Sequence, residues 1–276
     1  MGTSDLKRLQ QIAFIAVAAF MALGFTIVQR GFTEISKKGG ATLKAIGPQT
    51  KQMRSVQDFD RVQAGEIYDV DVSFGSRPSV TIEAPQDLLP HLTSDVHGGT
   101  LNLSSNVNFN LPEKSKIKAH VVTKRLVGAT ISGAGKMVIN GRITEHTFDA
   151  NASGAATLKL SANVDTFRLE ASGAAKTNID NLGAKTLRIQ ASGAAICKIN
   201  GSASDSSIGV SGAAQVDGQL TSNSANIQTS GAAHAALRVV NSLTAEASGA
   251  SNVSYSGNPG KVVQHTSGVA NIRRSN

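Results

Sequence analysis

The tripeptide Ser-Gly-Ala recurs through the second half of this chain at a nearly constant interval. It begins at Ser132, Ser153, Ser172, Ser192, Ser211, Ser230 and Ser248, and a degraded copy, Ser-Gly-Val, begins at Ser267. Successive serines therefore lie 18 to 21 residues apart. A fixed period near twenty residues indicates a repeat architecture, in which each unit buries its apolar face only against its neighbours.

Within each repeat, small or apolar residues alternate with polar ones. The positions one, three and five residues before the serine are mostly apolar, whereas those two and four before it are mostly polar, as in Leu169, Glu170 and Ala171. Alternation predicts β-strands, because successive side chains of a strand point to opposite faces. It also places the glycine at an inward position, where it would bend the strand.

The repeats predict an all-β fold, a parallel β-helix with about 19–20 residues per coil. Each coil would contain two or three short strands, separated by turn signals such as Asn200-Gly201 and Asp217-Gly218. A narrow interior lined by alanine agrees with an aromatic content of only 4% and the absence of tryptophan.

If the alternation continues through the glycine, each serine and the alanine two residues later point outward. Stacked coils would then form an uncharged stripe roughly 33 Å long, at about 4.8 Å per coil. Two interpretations stay open: the small residues suit a tight corner, or the stripe is a contact surface. The candidate contact stripe consists of Ser153, Ala155, Ser172, Ala174, Ser192, Ala194, Ser211, Ala213, Ser230 and Ala232.

An apolar run from Ile12 to Val28 follows Lys7 and Arg8 near the N-terminus. Residues 1–30 are therefore expected to be an apolar helix, either a signal peptide cleaved after Gly24 or an uncleaved membrane anchor. We expect a bacterial protein that is exported to the periplasm, anchored in the membrane or held at the cell surface. Basic residues lie on both sides of the apolar run, so positive charges do not set the orientation of an anchored protein, and a cytoplasmic head stays open as an alternative.

Most of the positive charge lies outside the predicted fold. The net charge is +8, and residues 1–56 carry +6 of it, whereas the remaining 220 residues carry only +2. Residues 31–56 have no apolar period and are expected to form a basic flexible linker beside the membrane. A nucleic-acid-binding protein would place its basic patch on the folded domain, so we expect no nucleic-acid partner.

The folded domain is predicted to span residues 57–276. Residues 57–126 contain short alternating runs such as Val70-Asp71-Val72 without a strict repeat, and the Ser-Gly-Ala coils occupy residues 127–276. Since a terminal unit of a solenoid must close an exposed end, the first part is expected to be an irregular β-rich cap.

Several segments of the cap resemble one known family. They are Asp-Phe-Asp-Arg-Val at 58–62, Tyr-Asp-Val-Asp-Val at 68–72, Val-Thr-Ile-Glu-Ala-Pro at 80–85, Leu-Leu-Pro at 88–90 and Gly-Thr-Leu-Asn-Leu at 99–103. Together with the Ser-Gly-Ala repeats, they are similar to the head GIN domain family of "putative auto-transporter adhesins" over residues 57–270. The resemblance implies a right-handed β-helix on an exported bacterial protein whose activity is unassigned.

The residues with reactive side chains do not form a recognisable site. Cys197, the single cysteine, falls in an inward column, and the six histidines have no metal-ligand spacing. Asp149 and Glu170 would lie on adjacent coils at a separation that glycosidases use, but Arg168 would lie directly beside Asp149. We therefore expect no catalytic, cofactor-binding or metal-binding residues and no cofactor.

The sequence accordingly predicts a non-catalytic protein of the cell envelope or surface, an adhesin-like binding or structural module. Its expected partners are envelope or extracellular glycans, a second copy of itself, and the membrane through the N-terminal segment. The alternatives are a carbohydrate-active enzyme on the same fold and a self-associating scaffold.

Overall fold

The computed structural model describes residues 42–45, 47–65, 67–112 and 116–275. The predicted apolar helix at residues 1–30 lies outside these residues, as does the first part of the predicted linker. Among the described residues, no helix is long and apolar enough to cross a membrane.

Parallel strands make up the repeat region. They are β10 (Gly128–Ile131), β11 (Lys136–Ile143), β12 (Thr147–Ala152), β13 (Thr157–Ala171), β14 (Lys176–Ala191), β15 (Ile196–Val210), β16 (Gln215–Asp217), β17 (Leu220–Thr229), β18 (His234–Ala247), β19 (Asn252–Ser256), β20 (Lys261–Thr266) and β21 (Asn271–Arg274). Each pairs in register with the equivalent strand one coil away, so that Leu169, Ile189, Ile208 and Ile227 form one column. The predicted solenoid is confirmed, with about eight turns of about 19 residues.

The apolar columns fill the interior as the alternation predicts. Leu169, Ile189 and Ala191 are at most 2% exposed, while Glu170 and Gln190 between them lie on the surface. The interior also holds Phe148 and Phe167, whose rings stack with centroids 5.8 Å apart. Strand alternation at each coil therefore produces one continuous apolar core.

The Ser-Gly-Ala segments are turns between strands, not strand interiors. In the coil that begins at Ser172, the N–H of Ala175 donates to the carbonyl of Ser172 at 3.4 Å. Gly173 has a φ of 69°, and since Ala174 has no positive φ, the pattern is that of a type II′ turn. The prediction that the glycine points inward is wrong: Gly173 is exposed at a corner. Ala175 again points inward, because it lies four residues after the inward Ala171 and the alternation therefore keeps its parity across the turn.

The N-terminal region comprises nine strands and one short 3-10 turn. They are β1 (Leu43–Lys44), β2 (Gln49–Arg54), β3 (Arg61–Ala64), β4 (Tyr68–Phe74), β5 (Ser79–Pro85), the 3-10 turn Leu89–His91, β6 (Leu92–His97), β7 (Thr100–Ser105), β8 (Phe109–Asn110) and β9 (Ile117–Thr123). Antiparallel pairs β2–β5, β5–β9 and β6–β7 close this end of the stack. The coils themselves are parallel, so this end forms an irregular β-rich cap.

The order of the first coils in space differs from their order in the sequence. β3 lies between β7 and β10, and β4 lies between β9 and β11. β3 and β4 precede β7 and β9 in the chain but occupy the second coil of the stack. β7 and β9 then form the outermost coil, and the chain crosses back to β10 on the third coil. Thr123 supports this crossing, because its hydroxyl hydrogen-bonds to the carbonyl oxygens of Phe59 and Arg125 at 2.8 and 2.9 Å.

The ordered fold begins before residue 57. Gln49–Arg54, which the sequence predicts to be flexible linker, form the antiparallel strand β2 against β5. Its residues are nearly all exposed, including Met53 at 76%, so no alternation marks the strand. β2 is held in place by backbone pairing along the edge of β5, and not by the burial of its side chains.

The last coil, formed by β20 and β21, differs from the coils below it at its inward positions. Gln264 pairs with Ala245 and Thr266 pairs with Ala247, so polar side chains replace apolar ones in two columns. Both are exposed. Polar inward residues on a final strand discourage pairing with another chain, a common protection of sheet edges.

Candidate functional site

The candidate contact stripe lies along a corner of the solenoid where consecutive turns stack. In each turn the glycine and the following alanine are exposed, while the serine is half-buried. The N–H of Ala174 donates to the carbonyl of Gly154 at 2.7 Å, and Ala194 and Ala213 make the same bond to the glycine one coil below. The alanines therefore point outward as expected, and the serines only partly.

The glycines of the stripe are required by backbone geometry. From Gly154 to Gly268 their φ angles lie between 69° and 77°. A Cβ added at Gly193 would lie 2.8 Å from the carbonyl oxygen of Gly173, and the same close approach recurs on each coil. Both constraints favour the interpretation that small residues suit a tight corner. A contact role for the stripe stays a prediction.

Lysines placed together at Ala174, Ala194 and Ala213 should leave the fold intact, because all three alanine side chains are exposed. We expect the Tm to stay within about 4 °C of wild type in circular dichroism melting. The triple serine variant at the same positions is the control for loss of alanine. Unfolding of the lysine variant alone would show that this corner is packed against another part of the protein.

The carboxylates that resemble a glycosidase pair lie on an open sheet face. Asp149 accepts hydrogen bonds from Arg168 and Arg61, each at 3.3 Å, so the predicted Asp149–Arg168 pair is confirmed. Arg61 reaches Asp149 by lying across Gly128, where a Cβ would come within 2.6 Å of its guanidinium. Partial burial, reinforced by Asp149, raises the pKa of Glu170. Two arginines thus hold Asp149 as a surface ion pair.

The contact with Arg61 is one that the sequence reasoning missed. Arg61 lies 88 residues before Asp149 and belongs to the cap. The repeat spacing cannot reveal it, because β3 enters the stack out of sequence order. The motif Asp-Phe-Asp-Arg-Val at 58–62 was the only available signal, and it does not specify a partner.

Cys197 is fully buried, in the column that also contains Thr177 and Val216. Burial raises the pKa of its thiol, and the neighbouring Thr177 hydroxyl opposes this rise only partly. A thiol that stays protonated and inaccessible behaves as a small apolar side chain. Among the described residues, no group of three or more His, Cys, Asp or Glu side chains is arranged to hold a metal ion.

The strands that follow the corner turns carry four exposed lysines, one on each of four successive coils. They are Lys136, Lys159, Lys176 and Lys198, here called the lysine face. This group was not predicted from the sequence. The signal was available, because each lysine lies at an outward position four or six residues after a repeat serine. A shallow open depression beside Lys159 is lined by Asn140, Arg142, Ser161 and Asp180.

Solved structures with the same fold include three from Parabacteroides species. Two carry the description "putative adhesin": one from Parabacteroides merdae (18% identity, TM-score 0.81) and one from Parabacteroides distasonis (19%, 0.78). The third, also from P. distasonis, is described as a "putative lipid binding protein" (17%, 0.74). Each comparison covers 85–86% of this chain and 100% of the other.

No curated protein sequence matches the chain. The family described as "Putative auto-transporter adhesin, head GIN domain" matches residues 58–259, a span that includes most of the cap and seven of the eight corner turns. This chain belongs to that family.

Proposed function

We propose that this protein is a non-catalytic binding module of the bacterial cell envelope or surface, which holds an extended partner along its flat sheet faces. The observation that carries the proposal is the in-register stacking of outward side chains, coil after coil, on open sheet faces. Such a surface presents the same contacts repeatedly along one direction. A polymer with its own repeat can match that arrangement.

Export forms part of the proposal. It is supported by the basic residues Lys7 and Arg8, by the apolar run from Ile12 to Val28 and by membership of a family described as adhesin heads. A signal peptide, or an anchor whose C-terminal side faces outward, would place the solenoid outside the cytoplasm, where long glycans are accessible partners.

Binding is a better account of the faces than catalysis. A glycosidase requires two carboxyl groups that converge on one bond, with one of them able to donate a proton. Asp149 instead accepts hydrogen bonds from two arginines, Arg61 at Oδ2 and Arg168 at Oδ1, so both carboxylate oxygens already have partners. Glu170 has a raised pKa but is an exposed residue on the same sheet face as Asp149.

The test is a binding screen of the full-length protein in detergent micelles against bacterial and extracellular polysaccharides. We expect retention of at least one glycan without release of reducing ends, and equal retention by Asp149→Asn. Glycan cleavage that Asp149→Asn abolishes would contradict the proposal and favour the enzyme. Retention only on lipid vesicles would move the function towards lipid, in line with the description of one structural neighbour. Sedimentation of the free protein tests self-association as the alternative.

A further inference from the structure

We propose that the lysine face is the site that binds the partner, and that this partner is an acidic polysaccharide. The inference rests on the proposed function and narrows it to one surface and one class of glycan. It is carried by the arrangement of the four ammonium groups and by the lack, among the described residues, of an ion pair to any of them.

The four lysines form a staggered double column. Lys136, Thr157, Lys176 and Ile196 follow one another on successive coils, and Val138, Lys159, Asn178 and Lys198 form the adjacent outward column. At about 4.8 Å per coil, the lysine face is about 14 Å long. Because in-register parallel strands hold each backbone position, the points from which the four lysine side chains extend are fixed relative to one another.

None of the four ammonium groups has an acidic partner. Within the described part of the chain, no carboxylate lies within 4.0 Å of them. In contrast, Lys116 pairs with Asp69 at 3.0 Å and Lys118 pairs with Glu83 at 3.4 Å. These two lysines of the cap are thus neutralised by carboxylates, whereas the four lysines of the lysine face are available to a ligand.

Acidic residues mark the limits of the lysine face. Asp69 lies one coil before Lys136 and is bound to Lys116, and Asp217 lies one coil after Lys198 and accepts from Gln215 at 2.6 Å. Asp180, at the side, accepts from Asn178 and Asn200 at 3.2 and 3.0 Å. Lys116 and the two asparagine amides therefore engage Asp69 and Asp180. Asp217 is engaged at Oδ2 only, since its buried Oδ1 has no hydrogen-bond partner among the described residues. Unpaired like charges on neighbouring coils repel one another, a cost that an anionic ligand would relieve.

The chemistry of the face favours a polysaccharide among anionic partners. Ile196, at 42%, is its one strongly exposed apolar residue, too little for insertion into a membrane. The two aromatic residues between 136 and 217, Phe148 and Phe167, are buried, so no ring is available to stack on nucleic-acid bases. Thr157 and the polar depression beside Lys159 offer hydrogen-bonding groups to sugar hydroxyls.

The experiment compares two double variants that each remove two exposed cations without an acidic partner. Lys159→Gln with Lys198→Gln alters the lysine face, and Arg188→Gln with Lys261→Gln alters the sheet before the corner. Titration calorimetry of the full-length protein uses polygalacturonate oligomers as the acidic probe and a neutral galactan as control. We expect about tenfold weaker polygalacturonate binding for the first double variant, and less than a twofold change for the second. The salt dependence of binding should also become shallower for the first variant alone.

Each other outcome overturns a distinct part of the inference. Equal losses in the two double variants would show that total charge, not the lysine face, determines binding. Tighter binding to the neutral galactan than to polygalacturonate would reject the acidic class but keep the proposed function. Binding of anionic lipid vesicles that requires Lys159 and Lys198, without polygalacturonate binding, would identify a lipid headgroup as the occupant. Binding of no glycan at all would contradict the proposed function together with the inference.

Discussion

An aspartate in place of Ala191 should lower the Tm by about 10 °C or more, or prevent folding altogether. Ala191 is 2% exposed and lies between Ala171 and Val210 of the neighbouring coils, which offer no polar side chain. A carboxylate without a partner in such a column costs roughly 3–5 kcal/mol. Circular dichroism melting at pH 7 measures the effect.

The adjacent position provides the control for this substitution. Gln190 lies on the outer face of the same strand, so Gln190→Ala should shift the Tm by no more than about 2 °C. Equal Tm values for Ala191→Asp and wild type would contradict the inward register of β14.

Gly193→Ala should destabilise the protein by roughly 3 kcal/mol, although it adds only one methyl group at an exposed corner. Alanine is disfavoured at a φ of 72°, and its Cβ would lie 2.8 Å from the carbonyl oxygen of Gly173. That oxygen already accepts from the N–H of Ala194 at 2.7 Å, so it cannot move away without loss of a bond between coils. The expected fall in Tm is about 6–12 °C.

A second glycine of the same coil separates backbone strain from the loss of glycine itself. Gly209 has no positive φ, and a Cβ there would meet only the flexible end of Gln190. Gly209→Ala should therefore be nearly neutral in the same melting experiment. If both variants melt alike, the stacked turns do not constrain their glycines in the way described.

The sequence was sufficient to predict the coils because each constrains its neighbours in the same way. The column of Leu169, Ile189 and Ile208 could be read from spacing alone, since parallel in-register strands place equivalent positions side by side. The serine and alanine of each turn could also be assigned to the outer surface. The glycine could not be assigned correctly. Alternation shows which positions share a face of a strand, but it does not distinguish a strand from a turn.

Features outside the repeat were harder to predict. β2 is paired through its backbone and has almost no buried side chain, so it resembles a linker in sequence. Arg61 meets Asp149 only because β3 is inserted between two later strands. The lysine face depends on which lysines lack carboxylates, and this requires the positions of side chains such as Asp69 and Asp180.

The displaced order of the first coils bears on how such a protein can change in length during evolution. β3 and β4 are paired on both sides by strands that follow them in the chain, so the cap and the first repeat depend on one another. Later coils pair only with the coil before and the coil after, and a unit of about 19 residues can be duplicated or deleted there without altering the pairing of the cap. Lengthening the solenoid in this way would extend its outer faces in steps of one coil, and with them the surface available to the partner that we propose.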